Sequence, residues 1–117
     1  NDYGDTSKID YLFDSGIIEV APITFIRGRT INDSFIYIDE AQNLNKMIIK
    51  TIVSRVGNRS KIILAGDIDQ IDTPYLDKHS TGLTHAASAF YGVDIAAHVN
   101  LFKSERSRVA QLAADLL

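Results

Sequence analysis

Phe35-Ile36-Tyr37-Ile38-Asp39-Glu40-Ala41-Gln42-Asn43, FIYIDEAQN, is the stretch on which the fold turns. Four apolar or aromatic residues lead directly into two adjacent carboxylates. Apolar character at both odd and even positions is what a parallel strand covered on both faces requires. A second stretch repeats the pattern: Lys61 to Ala65, KIILA, runs into Gly66-Asp67-Ile68-Asp69-Gln70. Between the two, Leu44, Met47, Ile48, Ile52, Val53 and Val56 fall at helical spacing, with Lys46, Lys50 and Arg55 facing elsewhere. A helix over Asn43 to Val56 follows, and Gly57 stands where a helix C-terminus favours a left-handed residue. Strand, helix, strand at this spacing predicts two parallel strands joined by a helical crossover.

Working outward, Ser7 to Phe13 reads as a short helix capped by Thr6 or Ser7, with Asp10 at box spacing from Ser7 and Gly16 closing it. Ile17 to Val20 reads as a short strand stopped by Pro22. Ser80 or Thr81 caps a helix from Gly82 to Tyr91. Ala96 to Leu101 is a third buried-type strand. Ser104 caps a final helix with Val109, Leu112 and Leu116 on one face. The alternation predicts an α/β layer with a parallel sheet and flanking helices.

Composition narrows the class. A chain of 117 residues with 45% hydrophobic residues supports one globular core. Its apolar runs are too short to span a bilayer, and its polar N-terminus lacks a signal pattern, so no membrane partner and a cytoplasmic setting are expected. The missing initiating methionine suggests a piece of a longer chain. There is no cysteine, which excludes disulfide and thiolate chemistry. Fifteen acids against 12 bases give a net charge of −3, so there is no broad basic nucleic-acid footprint. Contact with a polynucleotide would be local, at Arg27 with Arg29 or at Lys103, Arg106 and Arg108.

In open parallel sheets, ligands bind beyond the carboxyl ends of the strands. Two strands here end there in acids and amides. Mg²⁺ keeps several waters and takes one or two carboxylates plus phosphate oxygens. Asp39 suits the metal side of a nucleotide phosphate site, and the adjacent Glu40 can orient and deprotonate an attacking water. Gln42 and Gln70 offer amides for a terminal phosphate or the water. Taken singly, an Asp-Glu pair at a strand end is more often a solvated helix-start cap; the second acidic strand end tips the reading towards nucleotide. The three histidines have no metal-ligand spacing. Asp69, Asp72 and Asp77 read as a solvated loop around Pro74. Tyr75 and Phe102 suit base stacking, with core packing as the default. Arg27 and Arg29, two apart, suit either phosphate or a plain surface pair.

Together EVAPITFIRGRTINDSFIYIDEAQN and SKIILAGDIDQID resemble the PhoH-like (phosphate-starvation-inducible) ATPases, with Ser80-Thr81-Gly82-Leu83 and Ser104-Glu105-Arg106-Ser107 also part of the match. The last stretch is more like the branch bearing an N-terminal PIN nuclease domain. The family is similar to superfamily 1 helicase cores. The resemblance implies a RecA-like phosphate-loop NTPase fold, with ATP and Mg²⁺ as cofactors and hydrolysis coupled to single-stranded RNA unwinding or processing. It further implies a ring-like homo-oligomer. By position it makes Asp39 the magnesium-side acid and Glu40 the water-activating base. Gln42 would meet the γ-phosphate side; Asp67 and Gln70 would sense phosphate state, with Arg29 as a further phosphate contact. Arg106 would be the transition-state arginine, in cis or towards a neighbour. One departure stands out. None of the seven glycines precedes a lysine, so no G-x-x-x-x-G-K-[ST] loop is present. Residues 1–117 are accordingly expected to form the carboxyl-terminal part of the ATPase domain, incomplete at the strand that would carry that loop. Alone it is expected to bind ATP weakly or not at all. The other readings are a non-catalytic interaction or oligomerisation module, and a piece of a superfamily 1 DNA helicase.

Overall fold

The structure, a computed structural model, describes residues 6–23, 26, 28–101 and 107–117. It divides into two compact units, Asn1–Ala86 and Ala87–Leu117. The first holds helix α1 (Thr6–Asp14), strand β1 (Phe35–Ile38), helix α2 (Lys46–Val53) and strand β2 (Lys61–Leu64). Helix α3 (Gly82–Ala89) follows, and helix α4 (Arg108–Leu116) lies in the second unit.

β1 and β2 pair in parallel, with Phe35 opposite Lys61 and Ile38 opposite Leu64. The pairing continues past Leu64 through Ala65, whose N–H donates to the Ile38 carbonyl and whose carbonyl accepts from the Ala41 N–H, both at 2.9 Å. α2 is the crossover. It begins at Asn45, whose side-chain oxygen accepts from the Ile48 N–H at 2.8 Å, a cap worth about 1 kcal/mol. Ile49 and Ile52 on its inner face are buried and pack with Ile38 and Ala41. Ile36, Ile62, Leu64 and Leu83 close around this cluster as half-buried neighbours.

Several expectations change. β1 is covered on one face only: Ile38 is buried, whereas Phe35 is 66% and Tyr37 58% exposed. Period-2 geometry sends these two to the face opposite Ile36 and Ile38. Ile17 to Val20 and Ala96 to Leu101 form no strand. An isolated segment cannot satisfy its backbone as a strand without an edge to pair with.

Helix ends also shift. α2 starts at Lys46 because the residues just before it, Ala41–Asn43, form a separate 3₁₀ turn. Gly57 is not left-handed. The chain after α2 bridges Val56 to Ile31, and the Gly57 N–H donates to the Ile31 carbonyl at 2.8 Å. Glycine is required there for room, since a Cβ would collide with the Asn32 side chain. The last helix is capped by Ser107, which accepts from the Ala110 N–H at 3.2 Å; the expected cap Ser104 lies outside the described residues. Gly16 does end the first helical segment in a left-handed conformation, φ +80°. Tyr75 is fully exposed and left-handed, φ 67°, rather than part of the core; Phe102 lies outside the described residues.

Candidate functional site at the strand tips

After Ile38 the chain turns sharply. Glu40 takes up a left-handed backbone conformation, φ 54° and ψ 36°, rare for a residue with a side chain and costing on the order of 1–3 kcal/mol. That turn divides the motif in two. Asp39 and Glu40 stay exposed at the tip, while Ala41 and Gln42 are driven into the interior at zero exposure. The Asp39 carboxylate accepts the Glu40 N–H at 2.9 Å, which holds the turn. The apolar run thus anchors the strand, and the strained residue at its end presents the two acids.

Gln42 joins the two tips. Its amide NH₂ donates to the Glu40 carboxylate and, at 3.1 Å, to the Gln70 carbonyl. Its amide oxygen accepts the Asp67 N–H at 3.1 Å. Both amide hydrogens and the amide oxygen of this buried side chain therefore have partners, as burial demands. Gly66 has no side chain because Gln42 and Leu83 occupy the space a Cβ would need. In this arrangement both Gln42 amide hydrogens are donated within the chain and the side chain is buried.

Asp67 heads its own tight turn. Its carboxylate accepts from the Asp69 N–H at 2.9 Å and from the Gln70 side chain at 2.7 Å, an Asx-type arrangement. Asn43 extends the link beyond Gln70: its side-chain oxygen accepts from the N–H groups of Asp72 at 2.7 Å and Thr73 at 3.2 Å. Asp39, Glu40, Asp67 and Gln70 are thus brought to one end of the sheet. Arg29 is not tied to them. It pairs with Glu19 at 3.4 Å, the two side chains 48% and 62% exposed, and lines an open groove of about 630 Å³ along β1. Arg27 and Arg106 lie outside the described residues.

Among the described residues no three carboxylates or histidines converge as a ready-made metal cage. An exposed carboxylate, Asp39, beside the Glu40 carboxylate that Gln42 holds, still fits Mg²⁺, which needs few protein ligands and retains its waters. No glycine in the sequence is followed by a lysine.

Beyond β2 the loop ends in a second capped turn. The Asp77 carboxylate accepts from the N–H groups of His79 and Ser80 at 2.9 and 2.8 Å, and the Asp77 N–H donates to the Ser80 hydroxyl. The His79 N–H, then the Ser80 groups, hold the Asp77 carboxyl below the usual carboxylate value. A depressed folded value stabilises the turn fully above the unfolded value, about 3.9, and that stabilisation is lost as pH falls through the lowered one. In an acid titration the Ser80 amide resonance should step as pH falls through that lowered value. Asp77→Asn should remove that step from the Ser80 curve.

Reading the sequence alone missed Asn43 as a latch and the left-handed Glu40. Asn43 carried a signal in hindsight: an amide one residue beyond Gln42 reaches the same loop. Nothing in the residue type announces the backbone of Glu40.

The arrangement is that of an α/β protein with a small parallel sheet, flanking helices and acids at the carboxyl tips of both strands. The PhoH-like protein family model matches residues 1–116, and the chain belongs to that family. It is 55% identical over 102 residues to Protein PhoH2 of Bacillus subtilis, covering 87% of this chain and 23% of that protein. Protein PhoH2 of Thermobispora bispora is 37% identical over 109 residues, covering 93% of this chain and 25% of its own length. A PhoH-like protein of Bacillus subtilis is 42% identical over 83 residues, covering 71% and 25%. The chain therefore spans about a quarter of the length of these curated relatives. No helix among the described residues is long and apolar enough to cross a membrane.

Proposed function

We propose that the two strand tips are the metal and water half of a site that hydrolyses ATP in the whole protein. Family membership supports ATPase-type chemistry, and the observation that carries the site is the buried Gln42 amide, which binds the Glu40 carboxylate to the Asp67–Gln70 turn. Asp39, exposed at the tip, would hold the Mg²⁺. Bound there, the ion would supply positive charge to offset that on the phosphate oxygens. Glu40 takes a proton from the attacking water as the new oxygen–phosphorus bond forms and the bond to the departing ADP breaks. Asp67 and Gln70, linked to Glu40 through Gln42, report the presence of the terminal phosphate to the loop that follows.

Hydrolysis is coupled to single-stranded RNA in a cytoplasmic, ring-like homo-oligomer, with Arg106 stabilising transition-state charge within a subunit or across to a neighbour and Arg29 as a further phosphate contact. A parent of the nuclease-bearing branch would join unwinding to cleavage. The test is Mg²⁺-dependent ATP hydrolysis by the whole protein, with and without single-stranded RNA. Hydrolysis that vanishes with chelator and rises with RNA is expected. A protein that hydrolyses no ATP would turn attention to a second reading, an interaction module, for which the exposed Phe35 and Tyr37 on the open sheet face provide the surface.

A further inference from the structure

We infer that Thr81 is a positioning residue for the water-activating end of the site, an inference that rests on the ATPase reading above. Thr81 is completely buried, one of only two buried polar residues among those described; the other is Gln42. Its hydroxyl donates to the Gln42 main-chain carbonyl at 2.6 Å, across 39 positions of sequence. The same peptide unit carries the side chain that binds Glu40 and the Asp67–Gln70 turn.

Two features separate this from an ordinary helix cap. As a cap of α3 the Thr81 hydroxyl would accept a short bond from an early helix N–H, yet the Leu83 N–H stands at 3.4 Å, beyond the usual range. Capping also requires no burial. The short bond is the remote one, to the turn after Glu40. The neighbouring residue clamps the same place: the Gly82 N–H donates to the Leu44 carbonyl at 2.8 Å. A Cβ on Gly82 would lie 2.5 Å from both the Asn45 carbonyl oxygen and Ile49 Cγ1. Thr81 and Gly82 therefore sit on the 42–45 turn with no slack, and the hydroxyl fixes the plane of the Gln42 peptide. From that plane the Gln42 side chain reaches forward to Glu40 and sideways to Asp67. Loosening it lets the base drift without touching the nucleotide.

The test compares Thr81→Val, which keeps shape and removes the hydroxyl, with Thr81→Ser, which keeps the hydroxyl, in the whole protein. Two quantities are read: kcat and KM for Mg-ATP, and hydrogen exchange of the Asp67 amide, the donor to Gln42. Thr81→Val should lower kcat by about 10- to 100-fold with KM nearly unchanged, the scale of a small misplacement of a reacting group. It should also speed Asp67 exchange, and Thr81→Ser should restore both. Unchanged kcat and unchanged exchange in Thr81→Val overturn the inference. So does a serine variant as impaired as the valine one, which would assign the effect to packing of the methyl group. If the wild-type protein hydrolyses no ATP, the ATPase reading fails and with it the catalytic part of the inference. Asp67 exchange then still decides the link from Thr81 to Gln42.

Discussion

Glu40→Gln in the whole protein is expected to slow Mg²⁺-dependent ATP hydrolysis by about 10²- to 10⁴-fold, the share usually supplied by a positioned general base. That corresponds to roughly 3–5 kcal/mol of transition-state stabilisation. Nucleotide binding should be retained. Glutamine has the same length, and its amide oxygen can still accept from the Gln42 side chain, which now holds the Glu40 carboxylate. The left-handed backbone at position 40 does not depend on the charge. Single-turnover hydrolysis with a parallel nucleotide-binding measurement separates the two effects. Equal rates in wild type and variant would remove Glu40 from the chemistry and leave it as an exposed carboxylate at a turn.

The second large effect concerns the core that carries the site. Ile52→Ala should destabilise the β1–α2–β2 unit by about 2–5 kcal/mol, from lost transfer energy and the cavity left behind. Ile52 is 1% exposed and packs in the cluster of Ile38, Ala41 and Ile49. Partly buried neighbours such as Leu44, Val53 and Leu83 pack against this cluster, and how far they relax sets where in that range the cost falls. Total stabilities of about 5–15 kcal/mol make this a large fraction. Native-state hydrogen exchange of the β1 and β2 ladder amides in the whole protein reads the local opening energy directly. Ile52→Val is expected to cost only about 0.5–1.5 kcal/mol. An alanine variant with wild-type protection would show that the cluster contributes little to holding the two strand tips together.

Much of this was legible in the residues. Apolar runs ending in Asp39-Glu40 and Gly66-Asp67, separated by a helix with a clean apolar stripe, specify a parallel crossover and put the acids at one end. These signals are local: period, length and the chemistry of the residue after the strand. Ile17 to Val20 and Ala96 to Leu101 have the same composition as strands and are not strands, because pairing is a property of two segments and cannot be read in one. The exposed Phe35 and Tyr37 make the same point, since apolar character on both faces says what a strand can tolerate rather than what covers it.

The sequence by itself therefore determined the family, the β1–α2–β2 order and the identity of the acids at the strand tips. Those depend on side-chain type and near-neighbour spacing. Only the tertiary structure decided how the acids are held. The left-handed turn at Glu40 buries Gln42, and burial leaves its amide no partners except Glu40, Asp67 and Gln70. It also brought Thr81 under that turn from 39 residues away. A hydrogen bond between distant positions leaves no periodic trace along the chain, and a buried polar group finds its partners only once the fold has removed water from around it.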